Sequence, residues 1–231
     1  MQLKSTQGIG AVNGVKMLVY GKAGRGKTTL CATCPAPIIL SAESGLLALS
    51  NYNLPYAEIR TVDDLTEAFN WAQSSKEARQ FQTICIDSIS EIGEVVLANA
   101  KSQRVNGKLI DPRQAYGLLI DQMSTTIRAF RDLPGFHVYV SAKQEAIKDD
   151  QTGIVLNGPS MPGTKLGPAL PYHFDEVFHL DIGRDQATQK DYRFLRTQPD
   201  FQNDAKDRSG KLDAIEYPDL GNIIRKITAT S

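Results

Sequence analysis

The chain has 231 residues, enough for one large domain, and 41% of them are hydrophobic, ample for a core. Its 26 basic residues balance its 26 acidic ones, so overall charge gives nucleic acid no general attraction and any such surface has to be local. No apolar run approaches a membrane span, and the amino terminus lacks the basic-then-apolar layout of a secretion signal, so the expected location is the cytoplasm.

The first element is Met17-Leu18-Val19-Tyr20, apolar enough for a buried strand. It runs straight into Gly21-Lys22-Ala23-Gly24-Arg25-Gly26-Lys27-Thr28, which fits G-x-x-x-x-G-K-[ST] at every fixed position. Thr29-Leu30-Cys31-Ala32 then opens a helix. Strand, glycine loop, helix is the context that turns the pattern into a phosphate site. Glycines let the backbone curl so that successive N–H groups point at phosphate oxygens. The following helix adds its free N–H groups and the positive end of its dipole. Residues Gly21 to Thr29 are thus the expected nucleotide cradle, with the Lys27 ammonium on the β- and γ-phosphates. The Thr28 hydroxyl is placed to ligate Mg²⁺, which prefers oxygen. With no guanine-reading N-K-x-D pattern in the chain, ATP is the expected nucleotide.

Cys31 and Cys34 form a C-x-x-C, but no second pair completes a zinc site, and packing of a helix is the expected role. Cys85 falls in a predicted strand. His137, His173 and His179 show no metal-ligand spacing.

Strand and helix signals then alternate, the mark of an α/β fold with a mostly parallel sheet flanked by helices. Ile38-Ile39-Leu40-Ser41, bounded by Pro37, reads as a strand, and residues 62–71 as a helix capped by Thr61 or Asp63. Thr83-Ile84-Cys85-Ile86 is a short strand ending at Asp87, and a helix follows through Val95-Val96-Leu97. Residues 102–114, with Asn106-Gly107 and Asp111-Pro112, read as a loop. Residues 115–131 have helical periodicity, with Leu118, Leu119, Met123, Ile127 and Phe130 on one face. His137 to Ser141 is another strand. Residues 148–171 are rich in Gly and Pro and read as a long functional loop. Strands are predicted over 176–182 and 192–197. With no repeat or linker, residues 1–231 are expected to form one domain.

In an open parallel sheet, ligands sit at the carboxyl ends of the strands. Asp87 at such an end is placed to hold Mg²⁺. Glu43, after the strand ending at Ser41, is placed to orient or deprotonate an attacking water, or to cap a helix. Lys143 and Gln144, after the strand ending at Ser141, both qualify to touch the γ-phosphate, and the sequence does not choose between them.

The phosphate loop, a glutamate after the second strand and an apolar strand ending in Asp87-Ser88 resemble the RecA-like P-loop ATPase core. In detail the chain is similar to small phage ATPases of the Sak-four type, RecA-core single-strand annealing proteins related to recombinase paralogues. Ile86-Asp87-Ser88, the stretch from Gly158 to Pro168, Asp175-Glu176-Val177 and Arg193-Phe194-Leu195-Arg196-Thr197 carry the likeness. Where relatives often have a histidine, this chain has Ala142-Lys143-Gln144. Lys206-Asp207-Arg208-Ser209-Gly210 resembles the K-x-R-x-G stretch that DnaB-type helicases insert into a neighbour's ATP site. The resemblance therefore implies Lys206 and Arg208 acting in trans as a finger, and a homo-oligomeric ring or filament.

It also implies single-stranded DNA bound on loops after the third and fourth core strands, here residues 101–113 and 148–171. The first carries Lys101, Arg104, Lys108 and Arg113 against Asp111, with Tyr116 just beyond. The second has Lys148 and Lys165 offset by Asp149 and Asp150. The implied function is an ATP-dependent single-strand annealing protein of phage recombination, working with a single-strand-binding protein in the host cytoplasm. The alternatives are a helicase or loader motor, disfavoured by the short stretch before the first strand, and a small-molecule kinase, for which no lid or acceptor pocket is visible.

Overall fold

The structure, a computed structural model, describes residues 13–43, 45–148 and 153–229. The chain runs β1 (Lys16–Gly21), α1 (Lys27–Leu30), β2 (Pro37–Ser41), β3 (Tyr56–Glu58), α2 (Val62–Ser74), β4 (Thr83–Asp87) and α3 (Ile89–Ser102). It continues through β5 (Arg104–Val105), β6 (Lys108–Leu109), α4 (Pro112–Arg131), β7 (His137–Lys148), β8 (Val155–Ser160) and α5 (Leu166–Ala169). The last elements are β9 (Glu176–Arg184), β10 (Asp191–Arg196), β11 (Lys206–Asp207), β12 (Ile215–Glu216) and α6 (Leu220–Thr228).

Strands β1, β2 and β4 are buried along their whole length. That is why they read as continuous apolar runs and not as alternating ones: both faces of a parallel sheet are covered. Residues alternate between two cores. Leu18, Ile84, Ile86, Val138 and Val140 pack with Leu65 of α2, Ile92 and Val96 of α3 and Leu119, Met123 and Phe130 of α4. Met17, Val19, Ile39, Cys85, Tyr139 and Phe178 pack on the other face with Leu30 of α1 and Ile223 and Ile224 of α6. Each fully buried Val, Leu, Ile, Phe or Met side chain among them contributes about 1.5–3 kcal/mol.

The ten-stranded sheet has the order β12-β10-β9-β1-β7-β4-β2-β3, with β8 added to β7 and β11 to β9. From β9 to β3 every neighbouring pair is parallel, and β8, β10, β11 and β12 join antiparallel. This is the mostly parallel, helix-flanked α/β sheet that the alternation of signals predicts. Register brings the carboxyl ends together: Gly21 lies opposite Lys143, and Ser41 opposite Asp87.

Several local readings need correction. Residues 102–114 are not a plain loop. Asn106 and Gly107 have φ of 53° and 78°, a pair of left-handed residues that closes the two-residue hairpin between β5 and β6. Asp111 caps α4 by accepting from Arg113 N at 2.7 Å, so the helix starts at Pro112 and not at 115. Leu118 is 40% exposed; Ala115, Leu119, Met123, Ile127 and Phe130 form the buried face. Leu118 stands one residue, or about 100°, off that row. Residues 148–171 contain β8 and α5: β7 runs on for 12 residues and β8 folds back along it. The helix predicted over 62–71 extends to Ser74, and Thr61, not Asp63, caps it, in a reciprocal pair with Asp64.

Candidate nucleotide site

Gly21 ends β1 against the neighbouring β9: a Cβ there would fall 2.5 Å from the Leu180 carbonyl oxygen. Gly26, at φ 103°, begins α1 in the left-handed region. Between them the loop curls back, and Lys27 Nζ donates to the carbonyls of Gly21 at 2.7 Å and Lys22 at 3.1 Å. The ammonium thus spans the mouth of the loop. Burial lowers the Lys27 pKa, and the nearby Glu43 and Asp87 carboxylates oppose that shift. From below, the buried Tyr139 hydroxyl donates to the Lys27 carbonyl at 2.7 Å and props the first turn of α1.

Asp87, 1% exposed, accepts from Thr28 Oγ1 at 2.8 Å and from the Ser141 hydroxyl on its other oxygen. Glu43 Oε1 accepts from Ser88 Oγ at 2.5 Å. The two strand ends are also joined through their backbones, Ala42 N donating to Asp87 O at 2.8 Å. The loop therefore faces two carboxylates from adjacent strands, each held by a hydroxyl of its surroundings.

A cavity of about 560 Å³ opens over the loop. The loop residues lining it are Gly21, Lys22, Ala23, Gly24, Gly26, Lys27, Thr28 and Thr29; Glu43, Lys143, Gln144 and Arg193 complete its polar wall. Lys143 carries its ammonium against Glu91, and the Gln144 carboxamide oxygen lies 3.1 Å from His179 Nε2.

Other expected residues stand elsewhere. Arg25 is not on the cavity wall; its Nε is 3.3 Å from Asp181 Oδ1. Lys206 and Arg208 also lie off it. Lys206 and Asp207 pair with Val177 and Glu176 at the start of β9, the sheet edge away from this chain's own loop. The Lys206 ammonium donates to Pro171 O at 2.6 Å, and Arg208 forms an ion pair with Asp175 at 2.8 Å. Lys101, Arg104, Lys108 and Arg113 are all exposed on and around the β5–β6 hairpin. Lys101 Nζ stands 5.6 Å from the Tyr116 ring centroid, and Gly163 packs on the same ring, so the two long segments expected to act together meet there. Lys148 and Lys165 are exposed, while Asp149 and Asp150 lie outside the described residues.

The three thiols are buried and free. Burial first, and then the neighbouring Cys31 and Cys34 thiols, push the Cys85 thiol well up, so it is a neutral packing group of the core beneath α1. Among the described residues no group of three or more His, Cys, Asp and Glu is placed to hold a metal. The oxygens of Thr28 and Asp87, side by side at 2.8 Å, are instead the hard donors that suit Mg²⁺ beside a phosphate. Sequence reasoning passed over Ser88, Ser141, His179 and Arg193. The two serines carried a signal, each standing at the end of a predicted strand. Arg193 and His179 carried none, because only the pairing of β9 with β1 and β10 brings them in.

Comparison with known families matches residues 13–209 to an AAA domain. Among curated proteins, no relative matches the chain. Among solved structures, a KaiC-like protein from the hyperthermophilic archaeon Pyrococcus horikoshii OT3 is similar at 13% identity and a TM-score of 0.44, over 86% of this chain and 88% of that one. Among the described residues, no helix is long and apolar enough to cross a membrane.

Proposed function

We propose, from the premise that the chain belongs to the AAA domain family of P-loop ATPases, that it hydrolyses ATP and uses the cycle to grip and release single-stranded DNA. The observation that carries the reading is the convergence of Lys27, Thr28, Asp87 and Glu43 on one side of one loop. The loop amides and the Lys27 ammonium hold the β- and γ-phosphates. Thr28 and Asp87 would hold Mg²⁺, which would supply positive charge to offset that of the phosphates. Glu43 accepts a proton from a water aimed at the γ-phosphorus. The new O–P bond forms as the bond to the β-bridging oxygen breaks, giving ADP and inorganic phosphate.

The exposed cations of the β5–β6 hairpin, beside Tyr116, support a DNA-tracking role, since they offer local charge on a neutral chain. Lys206 and Arg208, remote from their own loop, support a role in a neighbour's site, with ring or filament assembly. The finer reading is a phage protein for single-strand annealing, served by a single-strand-binding protein. ATP turnover, measured with and without single-stranded DNA across protein concentration, tests the set. Expected is turnover that rises with DNA and more than proportionally with protein. Turnover that ignores DNA removes the DNA role, and strictly proportional turnover removes the trans site.

A further inference from the structure

We infer that His179 is a positioning residue: its Nε2–H holds the oxygen of the Gln144 carboxamide, so that Gln144 offers its NH₂ group to the phosphate end of the cavity. This rests on the ATP-site reading above and assigns the γ-phosphate contact that the sequence left open between two neighbours.

His179 belongs to β9 and is 4% exposed. Its ring stacks on Tyr20 of β1, with centroids 5.0 Å apart and planes 23° apart. Tyr20 is itself fixed, its hydroxyl lying 2.9 Å from the Asn157 carbonyl and 2.5 Å from that of Asp204. Stacking and burial therefore hold the plane of the imidazole. Burial lowers its pKa; Arg196 and Lys22 push the same way, and Asp181 and Asp200 push back without reversing the shift. A neutral imidazole has a single N–H. Nδ1 is buried and, among the described residues, has no hydrogen-bond partner. Placing the proton there would bury an N–H with no acceptor, whereas a bare ring nitrogen is the cheaper orphan. The proton belongs on Nε2, 3.1 Å from Gln144 Oε1.

That bond fixes the carboxamide. With its oxygen committed to His179, the end left for the cavity is the NH₂ group, a donor and so complementary to an anion. Gln144 lines the cavity with Lys27 and Glu43. Lys143 lines it too, but its ammonium is committed to Glu91, and its pKa is raised by that bond. Gln144 is the group whose chemistry matches a third phosphate that comes and goes.

The test compares affinities for a non-hydrolysable ATP analogue and for ADP by calorimetry. His179→Phe keeps the stack on Tyr20 and removes the donor. It is expected to lose roughly tenfold of the preference for the triphosphate, the worth of a hydrogen bond to a charged group, with ADP affinity held. His179→Gln, which restores an N–H at that reach, is expected to recover much of the loss. Gln144→Ala is expected to lose the same preference, and adding His179→Phe to it to cost nothing more. An unchanged preference in Gln144→Ala, or additive losses in the double variant, overturns the inference and leaves the phosphate loop standing. Failure of the unsubstituted protein to bind either nucleotide overturns the site reading itself. Nitrogen-15 spectra of the imidazole, needing no variant, are expected to show a protonated Nε2 and a bare Nδ1; the reverse tautomer sinks the inference.

Discussion

Thr28 Oγ1 lies 2.8 Å from Asp87 Oδ2, and this one contact ties the first turn after the phosphate loop to the end of a strand 59 residues further on. It sets a hydroxyl and a carboxylate side by side, the pair of oxygen donors that would hold Mg²⁺ in the proposed reaction. Asp87→Asn keeps the shape and replaces one accepting oxygen with an NH₂ group, from which the Thr28 or Ser141 hydroxyl accepts by turning. Expected is a loss of magnesium-dependent ATP turnover with the fold retained, read by turnover and urea unfolding. Full turnover in this variant counts against the metal role.

Glu43 hangs on Ser88 through a 2.5 Å hydrogen bond and stands on the cavity wall. Glu43→Gln is expected to bind ATP normally and lose about 10²–10⁴-fold in kcat, the usual worth of a positioned base. Arg208→Ala is also expected to bind ATP without turning it over. A mixture of the two variants can form one intact composite site between subunits, with Glu43 from one and Arg208 from the other. Partial recovery on mixing, absent from either variant alone, is the expected outcome; no recovery at any ratio speaks against the trans finger.

What was legible in the sequence followed from how local the cause was. The phosphate loop is a contiguous pattern, and the strands ending at Ser41, Asp87 and Ser141 are continuous apolar runs, so their carboxyl ends and the acids beside them were readable. Register then put Gly21, Lys143 and Asp87 along one edge. The β5–β6 hairpin and β8 were not read, because two-residue and Gly/Pro-containing edge strands give no period to count. Arg193 and His179 reach the site through antiparallel and parallel pairings that no local signal encodes.

The hairpin cations make a separate prediction. Arg104 and Lys108 sit on its two strands, both exposed. If they track the backbone of single-stranded DNA, each removes about 0.7 from the slope of log K against log salt when lost. Arg104→Ala with Lys108→Ala is thus expected to flatten that slope by about 1.4 while leaving ATP affinity unchanged, as measured by fluorescence titration over a salt series. An unaltered slope places the DNA surface elsewhere.

At the opposite sheet edge, Glu176 is 1% exposed at the start of β9 and faces Asp207 of the paired β11. Burial, followed by the neighbouring Asp207 and Asp175 carboxylates, pushes its pKa up to about 8. Unfolded, it titrates near 4.5. Between these values the folded chain keeps a proton that the unfolded chain has released, so stability falls as pH rises, by at most about 1.4 kcal/mol per pH unit, and levels off above 8. Lys16 acts in the opposite sense. It is buried on β1 with its Nζ 2.6 Å from the Phe136 carbonyl, and burial lowers its pKa to about 8 from 10.5. From pH 8 upward the unfolded chain holds the extra proton, so stability climbs again towards 10.5. Other buried groups, Cys85 among them, titrate on folding as well, so the Glu176 contribution is read as the difference in urea midpoint between the unsubstituted protein and Glu176→Gln across about pH 5 to 8. The advantage of the unsubstituted protein is expected to shrink steadily over that range. A difference that does not change with pH would mean that the buried carboxyl is ionised in the folded state.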